Sequence, residues 1–326
     1  MYIQKLDDPK KIRRVCISHN VFSLLQYLLI STAEEIKHTF FFFTDGKFSR
    51  HFPNSMVFNI KRRGFGRGKY LQAYLLLLRR NKLWPFLKHA EFYAQDNGVQ
   101  DWVLLKNHNY ICLEDGLGSY QEQSQKHSFD GFLKRLPFYP CGIYTWGYGK
   151  NCTARLLSHE PAADSFLREK PFIKVDLWQL WQESEKEKQD FIFKIFNVSK
   201  EDIEFFEKFD HLLLTQCFSE FKIISEKAKI ECYKNIVKHF NLQPENSVIK
   251  IHPREVTDYS TIFPGFHIYK NSVPIELIAL HLKKRLQVYT VSSSGVFIFP
   301  EQNVNWCGHK FCKELYDKHG DCERPF

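Results

Sequence analysis

No part of this chain is apolar for long. The longest apolar runs, Val21 to Ile30 and Leu71 to Leu78, fall well short of the roughly 20 residues that span a bilayer. The opening residues, Met1 to Arg14, are charged and lead into no apolar signal region. A protein made and kept in the cytoplasm is therefore expected. No Asp-x-Asp pair is present to hold a catalytic divalent metal, and no internal repeat or low-complexity segment stands out. The glycines of Lys61-Arg62-Arg63-Gly64-Phe65-Gly66-Arg67-Gly68-Lys69 have the wrong spacing for a dinucleotide loop, and no acid follows at the right distance. The nine cysteines are odd in number and mostly scattered. That argues against a disulfide framework, since a cytosolic chain keeps its thiols reduced.

What remains is a globular composition with a strong charge bias. Apolar residues make up 44% of the 326 and charged ones 25%, so a packed core and two domains of ordinary size are expected. Phe is abundant, at 31 residues. Most of these rings read as core, a minority as apolar surface. The formal charge of +9 implies an acidic partner: nucleic acid, an anionic membrane, or a phosphorylated glycan or lipid.

Hydrophobic patterning gives an α/β reading. Strands are predicted at Arg13 to Ser18, Phe40 to Phe43, Met56 to Ile60 and Tyr110 to Leu113, with helices at Phe22 to Ile30 and Gly68 to Arg80. A second alternation has strands at Leu212 to Thr215, Val248 to Ile251 and Val288 to Val291, with helices at Ser225 to Phe240 and Val273 to Leu282. Alternation of this kind favours parallel sheets. We place a first Rossmann-like domain at 1–175, a charged helical linker at 176–210 and a second domain at 211–326, closed by a helix from about His309 to Lys318.

Chemistry-bearing residues collect where the apolar runs end. Leu113-Glu114-Asp115-Gly116 hands a carboxylate to a turn; it could take a proton from an acceptor hydroxyl, although an Asp-Gly turn is the commoner meaning of the pattern alone. In Lys250-Ile251-His252-Pro253, Pro253 stops a strand, and Lys250 and His252 share a face. His252 could serve a leaving phosphate or simply end a strand. Ser292-Ser293-Ser294-Gly295 suits a phosphate or an ordinary polar turn. Glu276, in Pro274-Ile275-Glu276, could hold ribose hydroxyls or cap its own helix. The basic run 61–69 could bind RNA, a phosphorylated acceptor or acidic headgroups, or be a solvated loop. Cys307, His309, Cys312, His319 and Cys322 are zinc-type residues in a spacing that matches no familiar finger.

Taken in order, these motifs resemble the bacterial sialyltransferases of glycosyltransferase family 52, the lipooligosaccharide sialyltransferases. Leu213-Leu214-Thr215-Gln216 resembles the opening of that family's second domain. The resemblance implies a GT-B fold, two Rossmann-like domains facing each other across a cleft, with the donor nucleotide mostly on the C-terminal one. It implies inverting transfer of sialic acid from CMP-sialic acid to a galactose hydroxyl of a surface glycan, with no metal or other cofactor. Carried over by position, Asp115 is the general base and His252 serves the departing phosphate. Lys250 and Pro253 lie by the nucleotide, Glu276 holds the ribose, and Ser292, Ser293 and Ser294 meet the phosphate. The chain departs from the family after Gln216, where Cys217-Phe218-Ser219-Glu220 replaces an expected proline and a later Glu-Asp-Gly-like turn. Glu220 is therefore the reserve base. Expected partners are the nucleotide-sugar donor, a galactose-terminated acceptor and the anionic inner face of the cytoplasmic membrane, with a homodimer through the 180–210 helices left open. The alternatives are another nucleotide sugar, used for surface or capsular glycan, and a basic nucleic-acid-binding protein using residues 61–82.

Overall fold

A computed structural model describes residues 8–44, 46–58, 67–120, 129–139, 141, 144–161 and 166–324. The chain divides into two compact units between Ile195 and Phe196, within the charged helical stretch 176–210.

In chain order the first unit contains β1 (Arg14–Ser18), α1 (Val21–Ile30), α2 (Ala33–Lys37), β2 (Thr39–Phe43), β3 (Ser55–Val57), α3 (Arg67–Leu83), β4 (Glu91–Ala94), α4 (Val99–Leu105) and β5 (Tyr110–Cys112). It continues with α5 (Phe129–Arg135), β6 (Cys152–Leu157), β7 (Phe172–Lys174), α6 (Leu177–Glu183) and α7 (Lys186–Phe196). The strands form one sheet in the order β3-β2-β1-β4-β5-β6-β7, and every pair is parallel. The reason is visible in β2. Thr39 and the four Phe that follow are all buried, the unbroken pattern of a strand covered on both faces. Those rings build the core directly: Phe40 meets Phe86 at 4.8 Å between centroids, and Phe41 meets Phe52 at 4.0 Å. Exposed Phe132 and Phe221 belong to the apolar minority.

The second unit holds α8 (Lys200–Phe206), β8 (His211–Leu214), α9 (Glu226–His239), β9 (Ser247–Lys250), α10 (Tyr259–Ile262), β10 (His267–Tyr269), α11 (Ile275–Ala279), β11 (Gln287–Thr290), β12 (Val304–Trp306) and α12 (Lys313–His319). Its sheet runs β10-β9-β8-β11-β12, again wholly parallel.

The long apolar strands lie where the sequence places them. Short ones such as β4, β7, β10 and β12 were not legible there, because three or four residues interrupted by a charge, a histidine or, in β12, an asparagine show no period. Helix α11 is shorter than the expected Val273–Leu282, starting only after Pro274. The closing helix is broken: a 3₁₀ turn, Gly308–Phe311, ends at an extended Cys312 before α12 begins. Of the basic run, residues 61–66 lie outside the described residues, and α3 starts at Arg67. No helix among the described residues is long and apolar enough to cross a membrane.

Candidate functional site

In each sheet the strand order reverses direction at one central strand, and crevices at the carboxyl ends beside such a reversal are where open α/β sheets bind ligands. In the first unit that place lies between β1 and β4, and the loops leaving β1, β4 and β5 bring His19-Asn20, Gln95-Asp96-Asn97 and Asp115 together. Asn20 caps α1, its Oδ1 accepting the Ser23 N–H at 2.8 Å. That fixes the amide, so Nδ2 donates to Asp115 Oδ1 at 2.6 Å. The Gln95 amide donates to the same oxygen, and Asn97 reaches Oδ2 at 3.5 Å. The Asp115 N–H donates to Ser119 Oγ at 2.8 Å, which turns the carboxylate toward the loops.

Burial raises the Asp115 pKa to about 6, while His19 and the amide donors pull it down. His19 is itself pulled down by burial, but Asp101, 2.7 Å from its Nε2, outweighs this and leaves it above the ordinary histidine value. Asp115 is therefore a carboxylate tuned near neutrality by a buried neighbourhood. Glu114 has a different task. It is fully buried, accepts the Ser158 N–H at 2.6 Å and the Ser158 hydroxyl at 3.0 Å, and burial raises its pKa to about 8. It holds the loop shut.

Trp146 stands beside this carboxylate. A Cβ built on Gly118 would meet the Trp146 ring at 2.8 Å and Asp115 Oδ2 at 3.3 Å, so the absence of a side chain at 118 lets ring and carboxylate share one wall. Trp146 adopts a left-handed φ of 60°, costly for a bulky residue. Asp96 holds it there, accepting the N–H groups of Trp146 at 2.5 Å and Gly147 at 2.9 Å.

In the second unit the reversal lies between β8 and β11. Gln216, just past β8, spans it: its Oε1 accepts the Ser292 N–H at 3.0 Å and the Ser292 hydroxyl at 3.1 Å. Ser293 Oγ caps the turn that follows by accepting the Gly295 N–H at 3.3 Å, and the Ser294 side chain is partly exposed. A Cβ on Gly295 would meet Ser293 Oγ at 3.5 Å and Glu276 Oε1 at 3.8 Å, so the serine turn and the start of α11 adjoin. Burial raises the Glu276 pKa, with Lys250 opposing it. Lys250 is buried, 5.5 Å from the Tyr269 ring centroid.

His252 sits in the loop after β9, partly buried. Its Nδ1 accepts the Arg254 N–H at 3.1 Å, so in the neutral ring Nε2 carries the hydrogen. Burial, with Arg254 and Lys250 nearby, lowers its pKa, so at neutral pH it is an uncharged donor. Pro253 follows it on the surface.

Beneath this loop lies a network the sequence did not reveal. Glu255 accepts the His252 N–H at 2.8 Å and the Tyr259 hydroxyl at 2.7 Å, and also binds Thr215 Oγ1. Lys229, with a side chain 0% exposed, lies 3.5 Å from Glu255 and 2.8 Å from Glu220. Glu220 also accepts the Val256 N–H at 3.0 Å. Despite the cost of its burial, these donors lower its pKa to about 2, so this carboxylate is a poor proton acceptor. We predict that Lys229→Met lowers unfolding free energy by about 3–5 kcal/mol, because it leaves buried carboxylates facing each other without their cation. Urea denaturation checks this; a loss below about 1 kcal/mol would contradict it.

Asp115 lies in the first unit, while Lys250, His252, Glu276 and Ser292 to Ser294 gather in the second. Gln95, Trp146, Gln216 and Glu255 were missed, because a lone Gln or Trp in a loop carries no periodic or motif signal. Among the described residues no group of three or more His, Cys, Asp or Glu side chains is placed to hold a metal ion.

Comparison with known proteins adds to this geometry. The family model for glycosyltransferase family 52 matches residues 51–307. A relative, an uncharacterised protein of Haemophilus influenzae, is 29% identical over 259 residues, 79% of each chain. Among solved structures, the 2,6-sialyltransferase of Photobacterium sp. JT-ISH-224, in a ternary complex with CMP and lactose, aligns with 90% of this chain and 70% of its own at a TM-score of 0.55 and 13% identity. The GT-B domain of the Photobacterium damselae sialyltransferase aligns with 90% of this chain and 89% of its own, at a TM-score of 0.55 and 13% identity. The fold is thus GT-B.

Proposed function

The chain belongs to glycosyltransferase family 52, and on that footing we propose that it transfers sialic acid from CMP-sialic acid to a galactose hydroxyl of a lipooligosaccharide or related surface glycan. The observation that carries this reading is a chain of neighbours in the second unit: Lys250 acts electrostatically on both His252 and Glu276, and Glu276 adjoins the serine turn. A bond from sugar carbon to phosphate oxygen breaks in this reaction, and negative charge grows on the CMP phosphate. Preorganised donors at that phosphate are usually the largest catalytic contribution. His252 Nε2–H and the hydroxyls of Ser293 and Ser294 supply neutral donors, and Lys250 a fixed positive charge. Glu276 accepts from the ribose hydroxyls. Ser292, held by Gln216, keeps the turn in register, and Pro253 fixes the chain after His252.

Asp115 takes the proton from the attacking galactose hydroxyl as the new bond forms, with inversion at the sialic acid carbon. Its pKa of about 6 suits a base working near pH 7. The Trp146 ring beside it offers an apolar face to the sugar. Glu220, tied to Lys229, is the weaker candidate for base. In this reading, charge stabilisation comes from protein side chains without a metal, and the acceptor is met at the cytoplasmic face of the inner membrane.

The test is thermal stabilisation by CMP, UDP, GDP and ADP. CMP at a hundredfold excess over Kd should add about 2.7 kcal/mol of apparent stability. The Ser293→Ala, Ser294→Ala double variant should weaken CMP binding about tenfold or more, as two hydrogen bonds to a charged group are lost. A shift with UDP or GDP instead of CMP would overturn the donor.

A further inference from the structure

Helix α3 is built the wrong way round for water. Its sequence, RGKYLQAYLLLLRRNKL, holds five basic residues and no acidic one. The face turned inward includes buried Ala73 and Arg80. The Arg80 guanidinium donates to the carbonyls of Val103, Leu104 and Lys106 at the end of α4, and this anchors the helix. The outward face carries Leu71, Leu75 and Leu78, which are 61%, 50% and 66% exposed, with Tyr74 at 42%. At 100° per residue these four fall within one stripe, about 10 Å long from Leu71 to Leu78. Lys69 precedes the stripe, and exposed Arg79 and Lys82 stand at its other end. Helix α5 packs against α3 and adds exposed Leu133, with exposed Leu136 in the 3₁₀ turn that follows it.

We propose that the α3–α5 surface docks the protein on an anionic lipid bilayer, the leucines entering the headgroup boundary and the basic side chains meeting lipid phosphates. Charge selects this occupant. A second copy of the same face would set cation against cation, and a nucleic acid would leave the leucine stripe in water. The biological purpose of the docking rests on the proposed membrane-borne acceptor; the surface itself does not.

The test is co-sedimentation of the full chain with vesicles of phosphatidylglycerol and phosphatidylethanolamine, against vesicles of phosphatidylcholine. Each basic residue near an anionic surface strengthens binding about fivefold, so Lys69, Arg79 and Lys82 together should favour the anionic vesicles on the order of 100-fold, falling with added salt. Leu75→Glu with Leu78→Glu should abolish sedimentation yet leave the CMP thermal shift and transfer to soluble lactose unchanged. Arg79→Glu with Lys82→Glu should weaken it by more than tenfold. Equal binding to both vesicle types, or undiminished binding by the leucine variant, overturns the proposal. So does a dimer of the parent chain that the leucine variant dissolves. Vesicle binding without any CMP shift or sialyl transfer would keep the docking surface and remove the CMP-sialic acid reading, so the two fail separately.

Discussion

Asp115→Asn should lower sialyl transfer by about 10²–10⁴, the usual contribution of a positioned general base, with the CMP-induced thermal shift unchanged because the residues proposed to hold the nucleotide lie in the other unit. Asn keeps the shape and can still accept from Asn20 and Gln95, so the variant should fold. The pH profile adds a second readout. Asp115 must be ionised to accept a proton, and its pKa of about 6 places the acidic limb of kcat/KM near pH 6, with activity lost as pH falls through it. The Gln95 amide donates to the carboxylate and so stabilises its charged form. Gln95→Met removes that donor, raises the pKa and should move the limb to higher pH. A limb that stays put in Gln95→Met, or an active Asp115→Asn beside an inactive Glu220→Gln, would take the base away from Asp115.

His252→Ala should lower kcat by about 10²–10³, the range for losing one preorganised donor to a developing oxyanion. The structure makes a finer statement possible. With Nδ1 occupied by the Arg254 N–H and the pKa lowered, the neutral ring acts through Nε2–H. His252→Gln, which retains an N–H donor, should therefore recover part of the lost rate, whereas a step needing full proton transfer would not be rescued. Single-turnover transfer to lactose separates this from a binding effect. If His252→Ala changes KM for the donor and leaves kcat intact, the residue only binds the nucleotide.

Much of this was legible before folding. The apolar runs at Val15–Ile17, Phe40–Phe43 and Val248–Ile249, bounded by charged or turn residues and alternating with helical segments, read as strands of two parallel α/β units, and all three lie in buried strands. Asp115, His252, Glu276 and the serines each sit at the end of such a run or at a helix start, so local pattern found them. Which loops become neighbours was not local information. That depends on strand order, and the placement of β1 beside β4 and of β8 beside β11 depends on pairings between residues tens of positions apart. Gln95 reaches Asp115, Gln216 spans to Ser292, and Lys229 meets Glu220 and Glu255 only once those pairings exist. The pKa values follow for the same reason: an aspartate near 6 and a glutamate near 2 differ by burial and donors, not by sequence context. Sequence determined the elements and the reactive residue types. The tertiary structure decided which carboxylate is tuned near neutrality and which is held far below it by a buried lysine, because only packing sets the distance and dielectric between charges.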